Sequence, residues 1–561
     1  MMKVTISTYL LMRLKELNVN HLFGIPGDYV LPFFDELIDQ PHGVQHVLTR
    51  NELNGSYAAD GYSRENGFGA MAVTFGVGSL SCTNAVAGAY ADDSPMIVIA
   101  GAPTVEVINT PTEKLLHHVV GTDFDFNLRV FSNFTVGSKR LEKQSTAAYE
   151  IDNLLRKSIQ AKKPVYLEIP YDIQTQLVDA PDHPLDSMLN QSSKTNMTKA
   201  LKDAYEIISN SKTRSIVTGH LLKRERMIDE GLTLVDRLNA CVSTTFVCKM
   251  GDFDAHPNSV GTFLGTTSQD YTVDMMTNAD VAIGLGMTYN EFDTGVFSST
   301  MGNNQDVIWI RQNYVEINGK RYDEVYLREF LPKLNQIVMD IPKGELEIAD
   351  KRKFVFERKD KFVATDADIT IDRLFVQFAN YLKPNDMVYG DTGGHINGSQ
   401  AEFPAGTQFE GCGNWGSLGA GFGIYVGANM ANEEKSARSV CISGEGAFTM
   451  TGQELATLIE HKKDLALFVL DNAGYGAERA IKPGKHRSYN DIAVWKYEKL
   501  GEALGGTEGV DIHSYVVKTE ADMQKVFDQL ETPKGVNIVR IMLDPNDSAE
   551  FNIKFSGALK H

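Results

Sequence analysis

The chain has 561 residues, 42% of them hydrophobic and 23% charged, with a formal net charge of −19. That length implies three domains, and the acid excess argues against nucleic acid and anionic membrane surfaces as partners, although a pocket can still be locally positive. Five scattered cysteines (Cys82, Cys241, Cys248, Cys412 and Cys441) show no metal-ligand pairing, and their odd count fits a reducing compartment, so a cytoplasmic protein is expected. No apolar run is long enough to span a bilayer, and Met1–Asn18 reads as helix without a cleavage site rather than as a signal peptide.

Residues 1–180 alternate helical and strand patterns. Ile6–Leu17 is an amphipathic helix, His21–Gly24 a short strand, Gln45–Leu48 a second strand, Ala70–Thr74 a third, Ser81–Tyr90 a helix and Pro95–Ala100 another strand. Together they make a doubly wound α/β domain with a parallel sheet. Ala180–Ala200, rich in Pro, Ser, Asn and Asp, reads as a linker. A second α/β domain covers 200–342. Its clearest unit runs from Asp280 through a β-branched stretch to Gly286, followed later by Val307–Arg311. A nucleotide site there would want an acid at the strand end to hold a ribose. Arg311 stands in that place, so a packed domain without a cofactor is expected. Lys343–Ala367 is a charged run, read as a solvated linker, and the third domain covers 368–561.

The third domain carries the densest signal, over Cys441–Ala480. Val440-Cys441-Ile442 is a strand end, Gly444-Glu445-Gly446 a turn for small residues, Gln453–His461 a helix and Leu465–Leu470 a buried parallel strand. That strand ends on Asp471-Asn472-Ala473-Gly474. A right-handed strand–helix–strand unit puts both strand ends at one sheet edge, so Glu445 and Asn472 converge. Their oxygens, with a loop carbonyl, suit a hard cation such as Mg²⁺, and the backbone N–H groups of the glycine turn suit the phosphates it bridges. The stretch from Ala72 through Gly76 and Gly78 to Met96–Gly101 repeats this plan in the first domain without the acid–amide pair.

Four further groups stand out. Asp28 lies in a Gly-Pro turn, Glu52 follows the second strand, His117-His118 sit between apolar residues with no metal-ligand partner at sequence spacing, and Glu478 follows Gly474 by four residues. Singly, each has an ordinary explanation: a turn cap, a helix N-terminal charge, an incidental pair. Jointly, together with the Gly-acid-Gly…Asn spacing, they resemble the thiamine-diphosphate-dependent 2-oxo acid decarboxylases, the family of pyruvate, indolepyruvate, phenylpyruvate and branched-chain decarboxylases. The resemblance covers essentially the whole chain. Glu445 stands where the family has Asp, and Asp471 where it has the first Asn.

The resemblance implies pyrimidine-binding, central and diphosphate-binding domains and the cofactors thiamine diphosphate and Mg²⁺. Glu445, Asn472 and the Gly474 carbonyl are then the metal ligands. Glu52 shares a proton with the pyrimidine ring nitrogen, with burial raising its pKa, and Leu418 wedges between the two rings while the Gly416 carbonyl accepts from the amino group. Thr74, Thr392, Gly394, His395, Gly444, Gly446, Ala447, Phe448 and Tyr475 complete the cofactor contacts, with His395 supplying a donor where the family has hydroxyls. Asp28, His117, His118 and Glu478 relay protons, and Glu478 starts a helix and is partly neutral beside Asp28.

Ile396, Gly476, Ala477 and Ile481 would wall the substrate pocket. Small residues at 476 and 477 enlarge it, which implies a 2-oxo acid bulkier than pyruvate, branched or aromatic. The resemblance implies a homodimer at least, and a homotetramer, because Glu52 and the metal loop serve one cofactor from two subunits. Three alternatives stay open: pyruvate decarboxylase proper, an acetolactate-synthase-like carboligase with a flavin, and a non-catalytic homologue.

Overall fold

The structure is a computed structural model and describes residues 2–110, 115–185, 189–348, 362–399, 401–432, 437–505 and 508–559. It forms two compact units. One comprises Met1–Asn190, Trp415–Glu434 and Thr451–Lys463; the other comprises Gln191–Asn414, Lys435–Met450 and Asp464–His561.

The first unit is built on a six-stranded sheet in the order Gln45–Leu48, His21–Gly24, Gly69–Thr74, Met96–Ala102, Val165–Pro170, Ser138–Arg140. Every pairing in it is parallel. Gly69–Thr74 and Met96–Ala102 are buried along their whole length, as strands covered on both faces must be. Helix Glu52–Asn66 starts where the Asn51 side chain accepts the Asn54 N–H at 2.8 Å and stops at Gly67, whose φ of 97° an L-residue resists. It packs on helix Ala420–Ala431 at close range. A Cβ on Gly61 would lie 1.7 Å from the Ile424 carbonyl oxygen, and one on Gly427 1.7 Å from that of Ala58. These two glycines set the approach of the helices.

The second unit holds two seven-stranded sheets. In one, Ser259–Thr262, Cys241–Thr244, Arg214–Thr218, Val281–Leu285 and Asp306–Ile310 are parallel, and Tyr314–Ile317 and Lys320–Asp323 close the edge antiparallel. In the other, Gln408–Glu410, Met387–Gly390, Ser439–Gly444, Leu465–Asp471, Val536–Met542 and Ile512–Val517 run parallel, and Cys248–Met250 joins antiparallel at the far edge. That last strand comes from the middle of the central segment and crosses into the neighbouring sheet. Buried ion pairs hold it: Lys249 reaches Asp254 at 3.0 Å, and Arg224 reaches Glu410 at 2.8 Å. The chain is thus an α/β protein with mostly parallel, doubly wound sheets.

Several expected boundaries shift. The first helix is Ile6–Glu16, and the helix expected over Ser81–Tyr90 splits into Val77–Ser81 and Thr83–Ala91. The linker expected to reach Ala200 ends early, because helix Lys194–Asn210 begins inside it, capped by the Ser193 side chain. Serine before a periodic run is a start signal that outweighs the local polarity. Residues 349–361 of the expected charged linker lie outside the described residues. The central glycine turn is present, with Gly286 at φ 69° after strand Val281–Leu285. Arg311 stacks near Trp309 and donates to the Met287 carbonyl. None of the five cysteines forms a disulfide among the described residues, and no described helix is long and apolar enough to cross a membrane.

Candidate active site

In the second unit, strand Ser439–Gly444 runs directly into helix Glu445–Thr451; in chain order a short 3₁₀ turn and helix Leu455–Glu460 follow, which belong to the first unit. The expected turn at Gly444-Glu445-Gly446 and the later helix over Gln453–His461 are therefore corrected: Glu445 is the first helical residue. Gly446 is glycine because of a neighbour, since a Cβ there would lie 2.7 Å from the Tyr475 ring.

The adjacent strand Leu465–Asp471 ends beside it. Glu445 Oε1 accepts the backbone N–H groups of Asn472 at 3.1 Å and Gly474 at 2.7 Å. With its nitrogen turned inward, the Asn472 amide donates to the same Oε1 at 3.1 Å and to the Gly474 carbonyl at 2.7 Å. A carboxylate, an amide and a main-chain carbonyl thus meet at one point. A cation seated there needs only the amide to rotate and present its oxygen, and three such oxygens suit a hard divalent ion. Burial raises the Glu445 pKa from 4.5 to about 7, although the N–H groups of Gly474 and Asn472 counter it. A carboxylate buried without a countercharge is what a bound cation would relieve.

The loop that carries Asn472 is unusual. Ala473 has φ 56° and Gly474 φ 150°, and a Cβ on Gly474 would lie 2.1 Å from the Asn490 carbonyl. Arg479 holds it: its guanidinium donates to the carbonyls of Asn472 (3.0 Å), Ala473 (2.8 Å) and Pro545 (2.9 Å). Nothing in the sequence marked Arg479 as a loop clamp. Asp471 takes a separate part, pairing with Arg540 at 2.6 Å, so its carboxylate is committed away from Glu445.

Other expected cofactor contacts divide. Thr392 opens helix Thr392–Gly398, its N–H bonded to the Asp391 side chain at 2.8 Å. Gly393 and Gly444 face each other, each a side-chain-free approach: a Cβ on either would lie 3.7 or 3.9 Å from the other residue's Cα. Gly393, which sequence reasoning passed over, is the open glycine. Gly394 is packed against the Ile442 carbonyl, 2.3 Å from where its Cβ would be. His395 is corrected as well. It is 3% exposed, contacts the Phe246 carbonyl through Nε2 at 2.9 Å and stacks on Phe409, so it serves the core and not a phosphate. Phe448 is fully buried and Ala447 nearly so.

Tyr475 is half-buried over Gly446, and Glu478 is exposed in the first turn of helix Gly476–Ile481. Ile396 packs beside the Phe246, Phe551 and Phe555 cluster, and Ile481 is exposed. Gly476 has a local reason for being small: a Cβ there would lie 2.5 Å from the end of the Asn472 amide. Its size therefore reflects packing on the proposed metal loop and does not by itself widen a substrate pocket.

In the first unit the fold gathers a second cluster. Asp28 begins a 3₁₀ turn after strand His21–Gly24. His117 Nε2 lies 2.5 Å from Asp28 Oδ2, His118 Nε2 lies 3.8 Å from Oδ1, and Thr74 donates to Oδ1 at 3.3 Å. Tyr29 stacks on His117 with ring centroids 5.1 Å apart. His118 adopts φ 65°, and its carbonyl oxygen lies 1.8 Å from where a Cβ on Gly76 would be, so glycine at 76 admits the histidine segment to the strand end. Partial burial opposes ionisation of Asp28, but the hydrogen bond from His117, the Tyr29 N–H and the imidazole charges outweigh it and lower the pKa. The absence of a metal-ligand partner expected from spacing is also corrected. Asp28 brings the three potential ligand atoms within 4.8 Å of one another, and His117 already hydrogen-bonds to Asp28.

Glu52 is half-buried at the start of its helix, its Oε1 3.6 Å from where a Cβ on Gly78 would be. Leu418 is 36% exposed, not core, and Gly416 has φ 67° with open space around its Cβ position. An apolar side chain left exposed beside an open glycine is a surface fit for a ligand ring.

The comparisons with known proteins agree with this geometry. Three family models match: the N-terminal thiamine pyrophosphate-binding domain of the thiamine pyrophosphate enzymes over residues 4–126, their central domain over 201–330 and their C-terminal thiamine pyrophosphate-binding domain over 391–541. Among curated relatives, pyruvate decarboxylase isozyme 3 of Saccharomyces cerevisiae is 29% identical over 99% of this chain and 98% of its own length. Pyruvate decarboxylase of Aspergillus fumigatus is 30% identical over 94% of this chain and 92% of its own, and that of Hanseniaspora uvarum matches at the same values. This chain belongs to the thiamine-diphosphate-dependent 2-oxo acid decarboxylases.

Proposed function

We propose that the chain converts a 2-oxo acid to an aldehyde and CO₂ without oxidation, and that Mg²⁺ anchors the thiamine diphosphate through Glu445, Asn472 and the Gly474 carbonyl. The observation that carries this reading is the meeting of those three groups around one buried carboxylate. When bound, the cofactor supplies the carbon nucleophile and takes up the electron pair left by CO₂. The chain's own residues bind, orient and move protons. Glu52 would share a proton with the pyrimidine ring, Leu418 would pack against the cofactor rings, the Gly416 carbonyl would accept from the amino group, and Gly393 and Gly444 would admit the diphosphate. Thr392, Gly446 and Tyr475 complete that cleft. His117 and His118, with Asp28 ionised beside them, and Glu478 in the second unit would move the protons that aldehyde release requires.

Pyruvate is the substrate that the names of the relatives support. A bulkier acid is the second reading, and after the local reason found for Gly476 it rests on Ala477 alone. Domain limits of 1–180, 200–342 and 368–561, a dimeric active unit within a tetramer, and a cytoplasmic location belong to the same proposal. The test is steady-state aldehyde formation from pyruvate, 3-methyl-2-oxobutanoate and phenylpyruvate. The highest kcat/KM is expected for pyruvate. A higher value for either larger acid would favour the second reading, and no aldehyde from any acid would remove the activity.

A further inference from the structure

The chain's charge is −19, yet one cavity in the second unit is lined by cations. It has a volume of about 380 Å³ and lies behind helix Gly476–Ile481, bounded by the following loop and by Pro545–Ser548. A volume of that size falls within the range of small-molecule pockets. Arg479, Lys482, Lys485 and Arg487 line it against a single carboxylate, Asp547, whose Oδ2 already accepts the Ile371 N–H at 2.6 Å. His486 lines it too and pairs with Asp491 at 3.0 Å, and Asp491 also lies 3.8 Å from Arg479.

The four cations differ in what they can offer. Arg479 has committed its donors to three loop carbonyls, so it contributes charge more than contacts. Lys482, Lys485 and Arg487 make no ion pair or side-chain hydrogen bond among the described residues. An independent observation points the same way. Asn490 lines the cavity at 4% exposed, and its Oδ1 has no hydrogen-bond partner. An amide oxygen with no donor to hold it lets the amide turn its N–H₂ toward an incoming acceptor.

The cavity borders the proposed metal loop through Gly476 and Arg479 but opens away from the residues assigned to decarboxylation. On helix Gly476–Ile481 it touches Gly476, Arg479 and Ala480, whereas Ala477, Glu478 and Ile481 lie on the opposite face. We propose that this cavity is a binding site for a small phosphate-class dianion, either inorganic phosphate or a phosphomonoester, held by Lys482, Lys485, Arg487 and the Asn490 amide. Four cationic side chains lining one half-open cavity with one opposing carboxylate favour a compact, doubly charged oxyanion over a monoanion. The site assignment does not depend on which 2-oxo acid the enzyme uses.

The test is calorimetric titration of the full chain, first saturated with thiamine diphosphate and Mg²⁺ so that phosphate has no access to the diphosphate cleft. Inorganic phosphate and glycerol 3-phosphate are titrated at low ionic strength against a NaCl control of equal ionic strength. Saturable binding at one site per chain is expected, weakened about tenfold or more in the Lys485→Gln/Arg487→Gln double variant. Tighter binding of glycerol 3-phosphate would identify an ester as the ligand, and equal or tighter binding of inorganic phosphate would identify the free anion. The proposal is overturned if neither probe gives heat beyond the NaCl control, or if the double variant binds both as the parent does. Lys482→Gln alone, with its thermal midpoint measured, separates a lost site from a lost fold. Failure of the chain to take up thiamine diphosphate would register in the preceding step and would count against the decarboxylase reading; the phosphate titrations are then read on the apo chain and its variants.

Discussion

The strand–helix–strand unit at Gly69–Ala102 and the one at Ser439–Asp471 share a plan but solve different problems. In the first, no acid follows the strand, and Gly76 at φ 67° lets the His118 backbone lie against it. The charged groups arrive from elsewhere: Asp28 and His117 are 47% and 60% exposed and hydrogen-bond to each other. In the second, the acid grows from the strand end itself. Glu445 is 2% exposed, and its partners are main-chain N–H groups and one amide. An exposed carboxylate beside imidazoles has a lowered pKa and is suited to moving protons. A buried one with neutral partners has a raised pKa and is suited to holding a cation. Under the proposed function, one topology would serve a proton-handling edge in one unit and an ion-holding edge in the other.

The comparison can be broken at each end. The largest effect is expected from Asp28→Asn, which removes the charge that His117 and His118 face. We expect kcat to fall roughly 10²-fold or more, with the pH profile losing its acid limb, and stopped-flow or coupled kinetics would read it. An unchanged pH profile would detach Asp28 from proton handling. Next comes Gly446→Ala, where the new methyl meets the Tyr475 ring at 2.7 Å. A loss of about 2 kcal/mol in denaturant unfolding is expected, with weaker cofactor binding.

The pH dependence of Glu445 sharpens the contrast. Its folded pKa of about 7 lies above the ordinary 4.5, so its contribution to apo stability is complete below about pH 4.5 and is lost as pH rises to about 7. Mg²⁺ bound at the proposed site would compete with that proton. Its affinity should fall about tenfold per pH unit below 7 and level off above, readable by titration at fixed ionic strength. The smallest effect concerns the loop clamp. Arg479→Gln should weaken Mg²⁺ roughly tenfold while leaving the unfolding midpoint little changed, because its donors reach only loop carbonyls.

Much of this was legible in the sequence for a physical reason. Parallel strands buried on both faces are continuous apolar runs, so Leu465–Asp471 and Met96–Ala102 stood out, and strand ends in a doubly wound sheet share an edge, so Glu445 and Asn472 could be brought together on paper. What stayed hidden depends on contacts between distant segments. Cys248–Met250 crosses to another sheet, which no local pattern announces. His395 looked like a phosphate donor but is drawn into the core by Phe246 and Phe409. Gly476 looked like pocket space but is small because Asn472 lies against it, and Arg479 became a clamp only once the loop carbonyls turned toward it.

Calorimetric titration of thiamine diphosphate into the parent chain and into Glu445→Gln, at pH 8 with and without Mg²⁺, tests the central claim most directly. Mg²⁺-dependent binding in the parent, weakened at least roughly 100-fold in the variant, is the expected result. Binding in the variant as tight as in the parent, or parent binding indifferent to Mg²⁺, would contradict it.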